Sequence, residues 1–329
     1  MGDLSRRVEI SVGIPTYSEE ENISDLLEAI LRQRLPENYS IREIIVSDSS
    51  ADNTYKILMN FRAKHPFMRL FHHERRTGLN YAINEIFETV RAPFLWYINA
   101  DVIPTHDALY KLIDPMTRSE IVGATSGRLV PVTGHRFNIA EVANTFGAEL
   151  LHRLSEKGLY HFHGTMFAIR SEIARDVRIP RHAVEQDAFI GCQTMDLGYT
   201  LLYVPEAICY YVAFGSVREQ IRTSKTYRRG FRQWASEHPD WDYRYRLDQL
   251  GRIDPWVLRT MLNLLGDHPG PGALWALTKA LEVIYPIGRD RKVLAKSTKR
   301  NVLTLMKNRS PRGYGLSKHR DLRPLKEEK

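Results

Sequence analysis

From residue 8 to about residue 100 the chain alternates short apolar runs with amphipathic ones, and this alternation constrains the fold more than any other feature. Residues 8–15 (VEISVGIP) read as a buried strand. Ser18 stands three residues before Glu21, the spacing of a capping box. Ile23, Leu26, Leu27, Ile30 and Leu31 follow at helical spacing and define one apolar face. Residues 41–47 (IREIIVS) form a second strand, and Asp52-Asn53-Thr54 opens a second helix that ends near His65. Residues 68–73 make a short third strand, residues 78–90 a helix, and residues 93–99 (PFLWYIN) another apolar strand. Strands and helices in this order predict βαβ units and an α/β fold with a mainly parallel sheet flanked by helices.

Beyond Asp101 the pattern is mixed. Residues 121–130 read as a strand, and residues 137–154 as a helix with Val142, Phe146, Leu150 and Leu154 in one row. Residues 162–170 (FHGTMFAIR) are a strand, 188–197 a helix and 199–204 (YTLLYV) a strand. A basic helix over 216–234 follows, and helices over 255–265 and 273–285 flank the Gly/Pro-rich hinge GDHPGPG.

Charge is distributed unevenly. Residues 289–329 hold 14 of the 47 Lys and Arg and 4 of the 39 Asp and Glu, a net of +10 that leaves residues 1–288 at −2. A basic tail of this kind fits an anionic membrane surface or a nucleic acid, and equally a solvated extension without a partner. The two cysteines, Cys192 and Cys209, supply neither a disulfide framework nor a cysteine-rich zinc site. The opening MGDLSRRVEI has no apolar signal region. The most apolar window, 273–288, is 16 residues long and carries Lys279 and Glu282, short of the about 18 apolar residues of a spanning helix. These counts argue against a secreted miniprotein, a collagen and an integral membrane protein, and predict a cytoplasmic α/β protein.

In a parallel sheet, ligands bind beyond the carboxyl ends of the strands. Asp48 follows IREIIVS and Asp101 follows PFLWYIN, so both occupy such ends. A carboxylate at the first position accepts from a base N–H or a ribose hydroxyl. One at the second holds a divalent cation against a diphosphate, because Mg²⁺ and Mn²⁺ favour oxygen ligands. Taken singly, each is equally an ordinary helix N-cap.

Four segments together resemble the family 2 glycosyltransferases of the GT-A fold. VGIPTYSEEENI resembles the first strand and turn of that family, and VSDSSADNT its nucleotide loop, with Asp48 matching the second aspartate. ERRTGLNYAIN resembles its glycine-led segment, and INADVIP its metal-binding DxD stretch. Further on, GTMFAIRSEIARDV, VEQDAFIG and GYTLLYVPEAICYY extend the likeness, which covers about residues 8–215. The resemblance implies a GT-A nucleotide-sugar-binding catalytic domain over 1–215; the helix pattern and the charge count add a C-terminal helical region over 216–288 and a basic tail over 289–329. It implies donor contacts at Pro15, Tyr17, Glu19, Asp48, Gly78, Asn99 and Asp101, with Asp101 on Mn²⁺ or Mg²⁺. It also implies Asp187 as general base, which is compatible with a helix N-terminal acid favoured by the dipole.

Three positions depart from the family pattern. Asn99 replaces the first DxD aspartate, so metal binding rests on Asp101 and phosphate oxygens. Ser47 replaces the first aspartate of the nucleotide loop. Gln186 stands where a glutamate precedes the base, and Glu185, one place earlier, is a rival base. The QxxRW motif of processive synthases has only a partial counterpart in KTYRRGFRQW. There Arg228, Arg229 and Arg232 either clamp the leaving diphosphate, with Arg229 as the catalytic candidate, or form a solvated basic face. His161 and His163 present two imidazoles on one expected strand face, a metal pair or a packed pair; His72 and His73 point to opposite faces and cannot share a site. The sequence contains no GxGxxG, Walker or GxSxG motif to direct hydride transfer, ATP hydrolysis or serine esterase chemistry.

The implied activity is inverting transfer from a nucleotide diphosphate sugar, a UDP-sugar favoured over a GDP-sugar, to a saccharide hydroxyl or a lipid-linked acceptor. A polyprenyl-phosphate sugar synthase of the same fold is the alternative, and a non-catalytic membrane- or nucleic-acid-binding module is the rival of another class. A nucleotidyltransferase would need a glycine-rich basic loop where this chain has the acidic VGIPTYSEEEN. The apolar helices before the tail predict peripheral attachment to the cytoplasmic membrane face, or else a cap or dimer contact. No nucleic acid is expected as a partner.

Overall fold

The computed structural model describes residues 7–132, 162–184 and 186–212, together with 148, 152 and 155. All of these except Ala148 belong to one compact unit. The helices expected over 216–234, 255–265 and 273–285, most of the one over 137–154, the tail, His161, Glu185, Arg228, Arg229 and Arg232 lie outside the described residues.

The expected alternation is present. β1 (Val8–Thr16), α1 (Ile23–Leu31), β2 (Tyr39–Asp48), α2 (Thr54–Lys64), β3 (Met68–His72), α3 (Leu79–Thr89) and β4 (Phe94–Ile98) follow one another. β5 (Val102–Pro104), α4 (Ala108–Arg118) and β6 (Val122–Val132) come next. The described chain resumes with β7 (Met166–Arg170), α5 (Ser171–Asp176), α6 (Gln186–Asp196) and β8 (Thr200–Val212). These strands form one sheet in the order β3-β2-β1-β4-β7-β6-β8-β5. β3, β2, β1 and β4 are mutually parallel, while β7 runs antiparallel to both β4 and β6. The sheet is therefore mixed and mainly parallel, as a GT-A fold requires.

Strand residues alternate between two layers of helices. Trp96 and Ile98 of β4 join the α1 and α4 residues in one core. Tyr97 points the other way and stacks on Phe167, which Phe87 of α3 meets edge-on. Within α1, Ile23, Leu26, Leu27 and Ile30 are fully enclosed, each worth roughly 1.5–3 kcal/mol of burial. Leu31 departs from the expected face and is 43% exposed, because the helix ends there and Arg32 already has non-helical angles.

The capping box expected at Ser18 does not form. α1 opens five residues later, at Ile23, and Ser18 takes a left-handed φ of 58°. The Glu19 carbonyl accepts from the amides of Asn22 and Ile23, so a backbone turn precedes the helix in place of a hydroxyl cap. Ser18 instead donates its amide to Ser50 Oγ at 2.9 Å, tying the β1 turn to the β2 turn.

α4 carries no advance sign in the strand–helix pattern. α4 contains Pro115 in its interior, a residue that normally interrupts a helix. It persists because Leu109, Leu112, Ile113 and Met116 bury one face. Arg170 then secures the helix end, donating to the carbonyls of Met116, Ser119 and Val122. β8 runs past the expected end at 204 to Val212; its register against β6 shifts where Gly127 pairs with Val204 and Arg128 with Ile208. In the other direction, β7 begins at Met166, so Phe162 and His163 precede the strand.

Candidate active site

The carboxyl ends of β1, β2 and β3 lie in register, with Thr16 beside Asp48 and Asp48 beside His72. Asp48 has no exposed surface. Its Oδ1 accepts from Thr16 Oγ1 at 2.7 Å, Ser50 Oγ at 2.6 Å and the Ser50 amide at 3.2 Å. Its Oδ2 lies 2.6 Å from His72 Nδ1, and the His72 ring stacks on Tyr55 with centroids 3.9 Å apart. His73 points to the other face and meets Glu85 at 3.0 Å, so the two neighbouring imidazoles serve separate clusters, as the strand period requires.

Next to this network a cleft of about 180 Å³ opens at the ends of β1 and β4. Pro15, Thr16, Tyr17 and Glu19 form one side, and Asn99, Ala100 and Asp101 the other. Ser49, Arg76, Gly78, Leu79 and Ala82 complete the wall. Gly78 caps α3 with a φ of 89°, a left-handed angle that an L side chain rarely adopts. Arg76 places its guanidinium 4.1 Å over the Tyr17 ring, a cation–π contact at the cleft mouth.

Asp187 occupies the first turn of α6, where the helix dipole favours an acid. Its Oδ2 accepts from the Gly164 amide at 3.0 Å. The adjacent Thr165 carbonyl accepts from the Asn99 amide at 3.0 Å. One backbone hydrogen bond and one amide-to-carboxylate bond thus join the Asn99–Asp101 stretch to Asp187. Burial raises the Asp187 carboxyl above its ordinary range, partly offset by the Gly164 amide. Burial likewise raises Asp101. Glu19 is raised first by burial and further by the charge of Asp101 across the cleft. Burial together with the charges of Asp187 and Asp101 pushes the Tyr97 hydroxyl well above its usual value, so it stays protonated.

A divalent cation suits this cleft. Asn99 Oδ1 is buried without a hydrogen-bond partner, a costly state for a carbonyl oxygen that has nothing to accept from. It stands two residues from Asp101, and both line the same wall. An all-oxygen set of this kind matches Mg²⁺ or Mn²⁺. Among the described residues no group of three or more His, Cys, Asp or Glu is placed to hold a metal ion. The remaining ligands would have to come from a substrate, as phosphate oxygens commonly do.

Residues 11–178, half of the chain, match the model of Glycosyl transferase family 2. The chain belongs to glycosyltransferase family 2. The poly-β-1,6-N-acetyl-D-glucosamine synthase of Staphylococcus epidermidis is 23% identical over 208 residues, covering 61% of this chain and 49% of that protein. The match therefore spans about half the length of that curated relative. A dolichyl N-acetyl-α-D-glucosaminyl phosphate 3-β-D-2,3-diacetamido-2,3-dideoxy-β-D-glucuronosyltransferase from Methanococcus voltae is 25% identical over 237 residues, covering 66% of this chain and 71% of that protein. Among solved structures, the mannosyltransferase PcManGT from Pyrobaculum calidifontis, in complex with GDP-Man and Mn²⁺, superposes with a TM-score of 0.59. It is 21% identical and the likeness covers 93% of this chain and 88% of that one, which establishes the GT-A fold.

Within this family member, six of the residues implicated by sequence line one cleft: Pro15, Tyr17, Glu19, Gly78, Asn99 and Asp101. Asp48 lies beneath it, reaching the cleft wall through its bond to Thr16. Asp187 is linked to the wall through the 164–165 backbone. Glu185 and Arg229 lie outside the described residues. His163 precedes β7 and shares a hydrogen bond of 2.9 Å with Ser155, while His161 lies outside the described residues. Burial, with a contribution from His152, lowers the His163 imidazole to about 4. Sequence reasoning missed Arg76 and Gly164, both inside segments that carry the family likeness. Two adjacent arginines before Gly78 are a visible signal for the first. The glycine that opens GTMFAIR is a visible signal for the second.

Proposed function

We propose that this chain transfers a sugar, with inversion, from a nucleotide diphosphate sugar to an acceptor hydroxyl. UDP-sugars are the first candidates and GDP-sugars the second. The observation that carries the reading is the hydrogen-bonded path from Asn99 through Thr165 and Gly164 to Asp187, which sets two raised carboxylates, Asp101 and Asp187, around one sheet junction. Two carboxylates in separate environments can divide a metal-holding role from a proton-accepting one. In support, PcManGT was solved with GDP-Man and Mn²⁺.

In this mechanism the donor diphosphate lies in the cleft bounded by Tyr17, Arg76 and Asp101. Asp101 and Asn99 Oδ1 would hold Mn²⁺ or Mg²⁺, which when bound offsets charge developing on the diphosphate. Asp48 orders the nucleotide loop through Thr16, Ser50 and His72, and the nucleoside packs against that loop. Asp187 accepts the proton of the acceptor hydroxyl as its oxygen attacks the anomeric carbon opposite the departing diphosphate oxygen. The transition state has oxocarbenium character, as in glycoside hydrolysis. The raised Asp187 carboxyl favours the proton-accepting role, because a base works best with a pKa nearer the working pH.

A saccharide or lipid-linked acceptor fits the chemistry named for the Staphylococcus epidermidis and Methanococcus voltae relatives. Among the described residues no helix is long and apolar enough to cross a membrane. The +10 tail over 289–329 is the proposed attachment to an anionic cytoplasmic membrane face. Flotation with phosphatidylserine vesicles tests this: binding that survives deletion of 289–329 overturns the electrostatic anchor.

The transferase itself is tested by donor hydrolysis across UDP-, GDP-, dTDP- and CDP-sugars with and without Mn²⁺. Metal-dependent turnover of one donor, lost in Asp101→Ala, is the expected outcome. A protein that neither turns over nor binds any donor with Mn²⁺ would instead be a non-catalytic module.

A further inference from the structure

Asp187 stands at the start of α6, yet the stretch that delivers it, residues 177–184, contains no helix or strand. Something else must fix its register. The side chain of Asn80, 6% exposed in the first turn of α3, faces this stretch. Asn80 Nδ2 donates to the carbonyls of Pro180 at 2.8 Å, Arg181 at 3.1 Å and Ala183 at 2.7 Å. Its Oδ1 accepts from Gln186 Nε2 at 2.8 Å. One turn along α3, Asn84 donates from Nδ2 to the Ile179 carbonyl at 2.8 Å and accepts from the Ile179 amide at 3.0 Å.

Only a carboxamide fills this position. It offers two N–H donors and an acceptor oxygen from one planar group, and three carbonyls plus one amide donor surround it. An aspartate would turn carboxylate oxygens toward carbonyl oxygens, and an apolar residue would leave the turn carbonyls unpaired. The same helix turn has a second duty. Gly78, Leu79 and Ala82, which flank Asn80 in sequence, line the donor cleft. Gln186, the residue bonded to Asn80, is the immediate neighbour of Asp187.

We propose that Asn80 is a positioning residue for the general base: it registers the 180–186 segment, and through Gln186 the first turn of α6, on the helix that also walls the donor cleft. Donor site and base are thereby built on one rigid element. The inference rests on the reading of Asp187 as base.

Two variants of the full chain test it. Gln186→Met removes the amide donor at similar volume and leaves the grip of Asn80 on the turn. Asn80→Ala removes every contact. The readouts are hydrolysis of the donor sugar nucleotide with Mn²⁺, calorimetric binding of UDP and GDP with Mn²⁺, and hydrogen exchange of the peptide spanning 179–190. Gln186→Met should lower kcat about 10-fold and Asn80→Ala about 10- to 100-fold, the scale of a displaced reacting group. Donor KM and nucleotide affinity should stay within about threefold, and exchange over 179–190 should quicken in both. The double variant should be no worse than Asn80→Ala alone, since the one bond that Gln186→Met removes is already absent there.

A loss carried by KM, or an unchanged exchange rate in Gln186→Met, overturns the positioning role. Asp187→Asn separates the two readings. If that variant stays active the base assignment fails, and the exchange data alone still decide whether Asn80 registers the segment. If it is inactive while both latch variants keep full kcat, the base stands and the latch does not. Where no donor turns over, exchange alone decides: unchanged protection overturns the proposal, and lost protection supports it.

Discussion

Replacing Gly164 by alanine is the sharpest perturbation of the proposed base. A Cβ there would lie 2.2 Å from Asp187 Oδ1, 2.8 Å from Cγ and 3.3 Å from Oδ2. Favourable contacts begin near about 3.5 Å, so the carboxylate must retreat by about 1 Å. A displacement of that size at a reacting group costs about 100-fold in rate, or about 2.7 kcal/mol of barrier. Stability should fall by about 0–2.6 kcal/mol, the net of two opposing effects. The φ of Gly164 is not in the left-handed range, so alanine gains about 0.4–1 kcal/mol from the unfolded chain against about 1–3 kcal/mol of crowding. The assay is kcat for donor hydrolysis with Mn²⁺, alongside calorimetric nucleotide binding and thermal unfolding. We expect kcat to fall about 100-fold, with nucleotide affinity within about threefold and Tm within a few degrees. In an Asp187→Asn background the same substitution should cost nothing further, because the group it displaces no longer accepts a proton. A Gly164→Ala enzyme with kcat within threefold of the parent would refute the reasoning, as would an undiminished effect in the Asp187→Asn background.

Three further outcomes follow from the same geometry. Asp101→Asn should remove the Mn²⁺ dependence of nucleotide binding by calorimetry while leaving the circular dichroism spectrum unchanged; metal-enhanced binding that persists contradicts the metal role. Burial raises the Asp187 carboxyl, and the deprotonated form is the base. Hence kcat should fall as pH drops through a value above the ordinary carboxylate pKa of about 3.9, and a limb at or below that value counts against Asp187. Asp48→Ala strands Thr16, Ser50 and His72 around a buried position; urea unfolding should show a loss of roughly 3 kcal/mol, and a loss under about 1 kcal/mol would mean that the network carries little.

How far the sequence discloses this molecule depends on the range of the interaction involved. The period of Ile23, Leu26, Leu27 and Ile30 is a local property, and the structure buries all four. Ser18 shows the limit of local rules. Its spacing to Glu21 satisfies a capping box, but the Ser50 hydroxyl takes its amide from a loop 32 residues away and pulls the backbone into a left-handed angle. α4 fails in the opposite sense. Pro115 signals a break, yet four apolar side chains at helical spacing outweigh the one backbone bond that proline removes. Asp101 was legible because it follows a strand of a parallel sheet, where ligands bind, and the other cleft residues because they sit in the segments that resemble the family.

The positioning contacts obey a different logic. The Gly164 amide reaches Asp187 across 23 positions, and Asn80 reaches Gln186 across 106. Neither glycine nor asparagine carries a composition or period signal at those sites. Their meaning exists only once β7 has been laid beside β4 and α3 packed beside the turn that precedes α6. A site of this kind is specified in two stages. Motifs name the groups that touch substrate, while the side chains that hold those groups to within an ångström are chosen by a fold that is already formed. Substitutions at Gly164, Asn80 and Gln186 should therefore separate catalysis from binding more cleanly than substitutions at Asp101, where one carboxylate serves both.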